Sequence, residues 1–180
     1  MLNGIAFLNN PNDVPQAWTP SASNNFDALS NWDANHTCRA LRPYKNFLIA
    51  LDVTKTATRY PHLVMWSDAA DPGLVPGSWV PSATNRAGEY PLSETDDFVV
   101  DGLSLRDTFV VYKQESCWGM QLIGGDNVFR FYRMFDNVGV LGAHCAIEFK
   151  RGQHAVFAPD DIVIHDGVTA RSIVDNRVKS

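Results

Sequence analysis

The chain has 180 residues, of which 45% are hydrophobic, and its formal net charge is −5 at neutral pH. This composition allows a buried core and excludes a wholly disordered chain. The negative charge argues against a protein that coats nucleic acid over its whole surface. No apolar run approaches the roughly 18 residues of a membrane-spanning helix, so we expect no membrane insertion. The 3 cysteines, being few and odd in number, indicate no disulfide framework.

Residues 1–44 are predicted to form an irregular N-terminal arm. The stretch from Asn9 to Asn35 is rich in Asn, Pro, Ser and Asp, and its prolines block helical and sheet hydrogen bonds. Aromatic residues are spaced through it, which indicates that the arm packs on its own domain or on a neighbouring subunit. These aromatic residues are Phe7, Trp18, Phe26 and Trp32.

The first predicted strand pair is formed by two apolar runs, Phe47–Val53 and His62–Trp66. A polar connection from Thr54 to Pro61 joins them. The following loop, Ser67–Pro81, contains several prolines and glycines together with Trp79. It is longer than a simple hairpin needs, which indicates a role in contact or function.

Two further sets of short apolar runs lie between Thr108 and Ile173. Runs of β-branched and aromatic residues bounded by Gly, Asn and Asp are typical of strands joined by tight hairpins. The runs are Thr108–Tyr112, Cys117–Ile123, Val128–Phe135, Ala146–Phe149, His154–Phe157 and Ile162–Ile164.

The three sets correspond in content, which predicts a repeat. Phe47–Val53 matches Phe109–Lys113 and Ala155–Ala158, and the run His62–Trp66 matches two others, Cys117–Gln121 and Ile162–His165. The first interval is 62 residues and the second is 46. Repeats of about 40 to 50 residues with four short strands are typical of propeller blades.

We therefore predict an all-β fold, in which residues 45–180 form a β-propeller arc of about three blades of short antiparallel strands. Propellers close with about four to eight blades, so we expect the arc to belong to a larger propeller. A longer chain or partner subunits would complete it. A β-sandwich with Greek-key connections remains an alternative.

No group of residues predicts catalysis. The carboxylate pairs Asp96-Asp97 and Asp160-Asp161 each precede a strand, where Asp commonly bonds turn backbone, rather than forming an acid–base or Ca²⁺ site. The pairs His36/Cys38 and His144-Cys145 lack the four-ligand spacing of a zinc site. We find no serine elbow and no phosphate-binding loop. The sequence predicts a non-enzyme with no catalytic, cofactor-binding or metal-binding residues.

One string of residues carries a family resemblance. Thr108–Met120, with Ile123–Gly125 and Val128–Phe131, resembles the tail-tube or nozzle proteins of short-tailed bacteriophages. The similarity extends over roughly Phe47 to Lys179 and includes Pro61–Ser67, Trp79, Gly139, Gly152–Phe157, Asp160–Gly167 and Arg171–Ile173.

The resemblance implies a virion structural protein of the phage tail that is assembled in the cytoplasm of the bacterial host. Such nozzles form a homo-oligomeric ring below the portal and adaptor and contact other tail proteins. They extend the DNA conduit, retain the packaged genome and release it on ejection. A low content of Lys and Arg suits a conduit through which phage DNA slides, because few phosphate contacts form.

Two alternatives remain open at this point. A carbohydrate-binding or sialidase-like propeller would use Trp66, Trp79 and Trp118 to stack on sugars, although aromatic residues in strands more often lie in the core. A generic protein-interaction propeller is the other alternative.

Overall fold

The protein, described by a computed structural model over residues 1–20, 25–125 and 127–174, is all-β. Its strands form four small antiparallel sheets, and the described residues contain no helix. The predicted all-β class is confirmed. The chain divides into two compact units, unit 1 from Met1 to Glu94 and unit 2 from Thr95 to Ser180.

The N-terminal residues of unit 1 form a three-stranded sheet, which corrects the prediction of an irregular arm. Its strands lie in the order β1-β2-β3 and are antiparallel. Sequence reasoning missed them because the prolines lie between the strands, at turns and strand ends, and interrupt none of them. The strands are β1 (Ala6–Leu8), β2 (Gln16–Trp18) and β3 (Asp27–Ala28).

A four-stranded sheet completes unit 1, and its strands follow one another in chain order. Pro43 lies in its edge strand, where a missing N–H is tolerated. Pro61 lies beside a register irregularity opposite Asp52. The strands are β4 (His36–Tyr44), β5 (Phe47–Lys55), β6 (Thr58–Trp66) and β7 (Gly88–Pro91).

The predicted connection Thr54–Pro61 is much shorter in the structure. β5 and β6 meet at a two-residue turn in which both Thr56 and Ala57 have positive φ, at 46° and 68°. Two positive φ values match the twist of a hairpin, but the usual residues for them are Asn and Gly. Because Thr-Ala is not a usual pair at such positions, the turn could not be predicted from the sequence.

The core of unit 1 lies between the N-terminal segment and one face of the β4–β7 sheet. Leu48, Ala50 and Met65 of that sheet belong to the same buried cluster as Leu2 and Ile5. The long loop adds Trp79, whose ring meets Trp32 edge-on at 4.6 Å between centroids.

Unit 2 contains two four-stranded sheets that again run in chain order. The first is β8 (Val99–Leu105), β9 (Thr108–Lys113), β10 (Cys117–Leu122) and β11 (Phe129–Phe135). The second is β12 (Ala146–Lys150), β13 (Gln153–Phe157), β14 (Ile162–His165) and β15 (Ala170–Ser172). The strand-like runs predicted between Thr108 and Ile173 are confirmed.

The predicted repeat is present as a repeat of topology. Each of the three four-stranded sheets is an antiparallel meander. The segments predicted to correspond are the second strands β5, β9 and β13, and the third strands β6, β10 and β14. The corresponding segments therefore occupy the same strand positions in each meander, as the sequence pattern predicted.

Candidate functional site

The two sheets of unit 2 enclose a buried chain of hydrogen bonds. The Tyr112 hydroxyl lies 2.7 Å from His154 Nδ1 and 2.6 Å from His165 Nε2. His154 Nε2 lies 2.9 Å from the Ser104 carbonyl oxygen. The three rings are at most 1% exposed. β9 of one sheet is thereby joined to β13 and β14 of the other.

The direction of each bond in this chain follows from its fixed end. A carbonyl only accepts, so His154 Nε2 carries the proton and donates to Ser104, and the neutral ring leaves Nδ1 as an acceptor. Tyr112 must then donate its hydroxyl proton to His154. Its oxygen accepts from His165 Nε2–H, which leaves His165 Nδ1 as a buried lone pair without a hydrogen-bond partner.

Burial holds all three groups neutral near pH 7. Desolvation, aided by His154, lowers the pKa of His165 to about 4, although Asp166 opposes the shift. Desolvation also lowers the pKa of His154 against the opposing Ser104 bond and the charge of Glu148. The pKa of Tyr112 is raised well above 10 by burial, with smaller contributions from Cys117 and Asp101. A neutral network of this kind orders a core but has no group poised to exchange protons at neutral pH.

A second polar cluster surrounds Lys113, which is fully buried at the end of β9. Its Nζ lies 3.0 Å from Asp97 Oδ1 and donates to the Thr95 carbonyl at 2.9 Å. Asp97 Oδ2 accepts from the backbone N–H of Ser116 at 3.0 Å and from that of Glu115 at 3.1 Å. Burial opposes the charged carboxylate, but the hydrogen bonds from Thr95, Glu115, Lys113 and Ser116 outweigh it and hold the pKa of Asp97 well below its usual range.

The second aspartate of each pair, Asp97 and Asp161, accepts hydrogen bonds from backbone N–H groups. Asp161 accepts from the following backbone N–H, of Ile162, at 2.7 Å, as predicted for a turn former. Asp97 differs, because it fixes a turn at Glu115 and Ser116 rather than its own backbone. Asp166, whose Asp-Gly dipeptide marks a turn in the sequence, closes the β14–β15 turn by accepting from Val168 and Thr169, and these bonds lower its pKa to about 2.

The His and Cys pairs are not brought into ligand groups. Burial and then the charge of Asp52 raise the pKa of the Cys38 thiol to about 12, and its Sγ lies 3.3 Å from Asn9 Oδ1. Burial likewise raises the pKa of Cys117 to about 12. Across residues 1–20, 25–125 and 127–174, no three His, Cys, Asp or Glu side chains form a group that could hold a metal ion.

The three tryptophans considered for sugar stacking are all buried. Trp66 donates its indole N–H to the Arg86 carbonyl at 2.8 Å. Trp118 packs beneath Arg133, whose guanidinium carbon is 5.4 Å from the ring centroid. The contacts of Trp66 and Trp118 thus stabilise their own sheets, while Trp79 lines a cavity in unit 1.

The β12–β15 sheet carries apolar side chains on both faces. Directly opposed residues share a face, which places Ala146, Val156 and Val163 together in the core of unit 2. Ile147, Ala155 and Ile164 lie on the other face, followed two residues along β13 by Phe157. Ile147 is 49% exposed and Phe157 43% exposed, whereas Ala155 and Ile164 between them are buried. This second face, defined by Ile147, Ala155, Ile164 and Phe157, is called here the outer face.

No protein-family model matches this chain, and no curated protein is significantly similar to it. Among the described residues there is no helix of the length and hydropathy required to cross a membrane.

Sequence reasoning missed the buried polar residues Lys113, His154 and His165. Each lies in a strand predicted from its apolar neighbours. The available signal was a polar residue at the inward position of an otherwise apolar run, where it requires a buried partner.

Proposed function

We propose that this chain is a non-enzymatic structural protein of a phage tail, in which the three four-stranded sheets are blades of a propeller arc within a ring-forming subunit. Its role is to extend the DNA conduit below the portal and adaptor and to help retain and release the genome. The virion assignment derives from the residues that resemble nozzle proteins. The propeller assignment is supported by the sequence repeat and by the three four-stranded meanders.

The observation that carries the propeller is the recurrence of one meander three times with equivalent strands in equal positions. Blades of a propeller are four-stranded antiparallel meanders that stack face to face. Strands β5 and β9 are buried over most of their length on both faces, as a sheet between two layers requires.

The outer face supports assembly into a ring. The β12–β15 sheet exposes apolar residues such as Ile147 and Phe157, which gain about 25 cal/mol for each Å² that a further layer removes from water. We assign this layer to a second copy of the chain, because a ring of identical subunits needs one face of each to meet the next.

The interior chemistry is compatible with a structural role. The buried histidines are neutral, and the Lys113–Asp97 pair is enclosed rather than presented to a substrate. These groups form bonds between strands, and such bonds make a structural protein rigid.

The experiment is mass spectrometry of purified tailed particles from a lysate of a phage that encodes this chain, combined with immunogold labelling. We expect a fixed copy number per particle and label at the tail. Absence from particles, together with a chain that stays monomeric in solution, would overturn the proposal.

A further inference from the structure

A cavity of about 510 Å³ lies in unit 1, between the β4–β7 sheet and the long loop that follows β6. This volume is within the range of small-molecule sites, which are mostly apolar with a few placed polar groups. Trp32, Met65 and Trp79 form its apolar floor, and all three side chains are buried. Polar side chains also line the cavity, among them Asp33, His36, Lys55 and Glu89.

Local hydrogen bonds fix the floor and one side of the rim. Trp32 donates its indole N–H to the His36 carbonyl at 2.8 Å, which holds the ring across the turn before β4. Asp33 Oδ1 accepts from the Asn35 backbone N–H at 2.8 Å, and this bond lowers the pKa of the carboxyl. Its other oxygen, Oδ2, is 3.8 Å from His36 Nε2, too far for a hydrogen bond.

The lining also contains a second charged pair, Lys55 on β5 and Glu89 on the edge strand β7, which form a salt bridge. Lys55 is the cross-strand partner of His36, so the two pairs lie on neighbouring strands. The long loop closes the third side with Val80, which is 71% exposed. The loop is anchored by the Asp68 N–H, which donates to the Ser78 carbonyl at 2.8 Å.

Charge decides which class of ligand fits this arrangement. The lining holds two carboxylates, Asp33 and Glu89, which repel an anion, and a cation that approaches Glu89 must displace Lys55 from its salt bridge. A neutral polyol meets no such opposition, because each hydroxyl can donate to a carboxylate and accept from an ammonium group. A pyranose ring also presents a face of C–H groups, which suits an apolar floor.

We propose that this cavity is a binding site for a neutral saccharide unit. Asp33 and Glu89 accept hydrogen bonds from ligand hydroxyls, Lys55 donates to one, and the sugar's C–H face lies over Trp32, Met65 and Trp79. The proposal does not depend on the tail-assembly role.

The test is a glycan array with neutral and acidic glycans, probed with the full chain, followed by calorimetric titration with the methyl glycoside of the best neutral hit. We expect hits among the neutral glycans and a dissociation constant of about 1 mM or lower. Titration with methyl glucuronide and with choline should give no detectable binding. An array without hits, or binding of the anion or cation as tight as that of the neutral sugar, would overturn the proposal.

Matched variants localise the binding. Val80→Trp fills the cavity mouth and should weaken binding at least tenfold. Leu74→Trp adds the same ring at an exposed position of the same loop outside the cavity lining, and should leave the affinity unchanged. Glu89→Gln should weaken binding several-fold, and thermal unfolding checks that each variant is folded. Equal affinities for Val80→Trp and Leu74→Trp would place the sugar elsewhere and refute the assignment.

Discussion

The two units build their interiors from different chemistry. The core of unit 1 is an apolar and aromatic cluster that includes Trp32 and Trp79. The core of unit 2 places His154, His165 and Lys113 among its apolar side chains. In unit 1 the buried carboxylate of Asp52 bonds Arg59, whose side chain is 42% exposed. The comparison teaches that unit 2 depends in part on hydrogen bonds and an ion pair between buried polar groups, whereas unit 1 depends mainly on burial of apolar surface.

The largest expected effect comes from removing the partner of the buried lysine. Asp97→Ala leaves Lys113 charged and enclosed, which should destabilise unit 2 by about 3–5 kcal/mol. Hydrogen exchange with mass spectrometry should show faster exchange in peptides from residues 95–174, with those from unit 1 little changed.

Asp96→Ala is the matched control, since Asp96 is the exposed neighbour in sequence. It should change stability by no more than about 0.5 kcal/mol. Adding Lys113→Met to Asp97→Ala should recover most of the loss, because a buried pair replaced by apolar groups is often neutral. Equal exchange in the Asp96 and Asp97 variants would contradict the account of unit 2.

The second effect is a dependence of unit 2 on pH. The folded-state pKa of His165 is about 4, below the 6.5 of an ordinary histidine, so the unfolded chain binds the proton more readily. The stability contribution is therefore complete above pH 6.5 and is lost as the pH falls towards 4, by about 3 kcal/mol in total. The lowered pKa of His154 adds to this loss in the same direction.

Urea unfolding between pH 7 and pH 4 measures this dependence, and His165→Gln provides the control. The glutamine amide keeps a donor for the Tyr112 hydroxyl but does not titrate. The slope of unfolding free energy against pH should become shallower in this variant. Losses below pH 4 belong to carboxylates such as Asp166, whose folded-state pKa is about 2. A slope unchanged by the substitution would exclude His165 as its source.

The third effect compares the same device in both units, a glycine beneath a cross-strand aromatic ring. A Cβ on Gly88 would lie 2.4 Å from the Trp66 ring, and one on Gly119 would lie 2.4 Å from the Tyr132 ring. Trp66 is buried and tied to the Arg86 carbonyl, whereas Tyr132 is partly exposed. Gly88→Ala should therefore cost about 2–3 kcal/mol and Gly119→Ala about 1–2 kcal/mol.

Urea unfolding midpoints measure both substitutions against Gly77→Ala. A Cβ on Gly77 meets no atom within 4 Å, so that variant should lie close to the wild type. The opposite order, with Gly119→Ala the more damaging, would mean that the Tyr132 ring is held more firmly than its exposure indicates.

The strands and the repeat were predictable because they are local patterns. Runs such as Cys117–Leu122 have strand length, strand composition and turn residues at their ends. The N-terminal sheet was not predictable, because β3 has 2 residues and Pro20 separates it from its partner β2. The Thr56-Ala57 turn was hidden because its residues rarely adopt positive φ.

The polar network and the cavity were beyond local patterns. Tyr112 reaches His154 across 42 positions and His165 across 53, so their meeting depends on how two sheets pack. The loop after β6 was predicted to have a role in contact or function. The loop lines one cavity together with Trp32 and Lys55. This arrangement depends on how the strands pair, which cannot be read from the sequence of the loop.

The central claim is that the outer face of the β12–β15 sheet binds a second copy of the chain. Sedimentation velocity over a range of concentrations tests this claim most directly. The account predicts that the wild-type chain forms a closed oligomer and that Ile147→Lys on the outer face reduces it to a monomer. Val168→Lys, at a position 81% exposed in the β14–β15 turn, should leave the oligomer intact. A wild-type chain that sediments as a monomer at every concentration would contradict the claim.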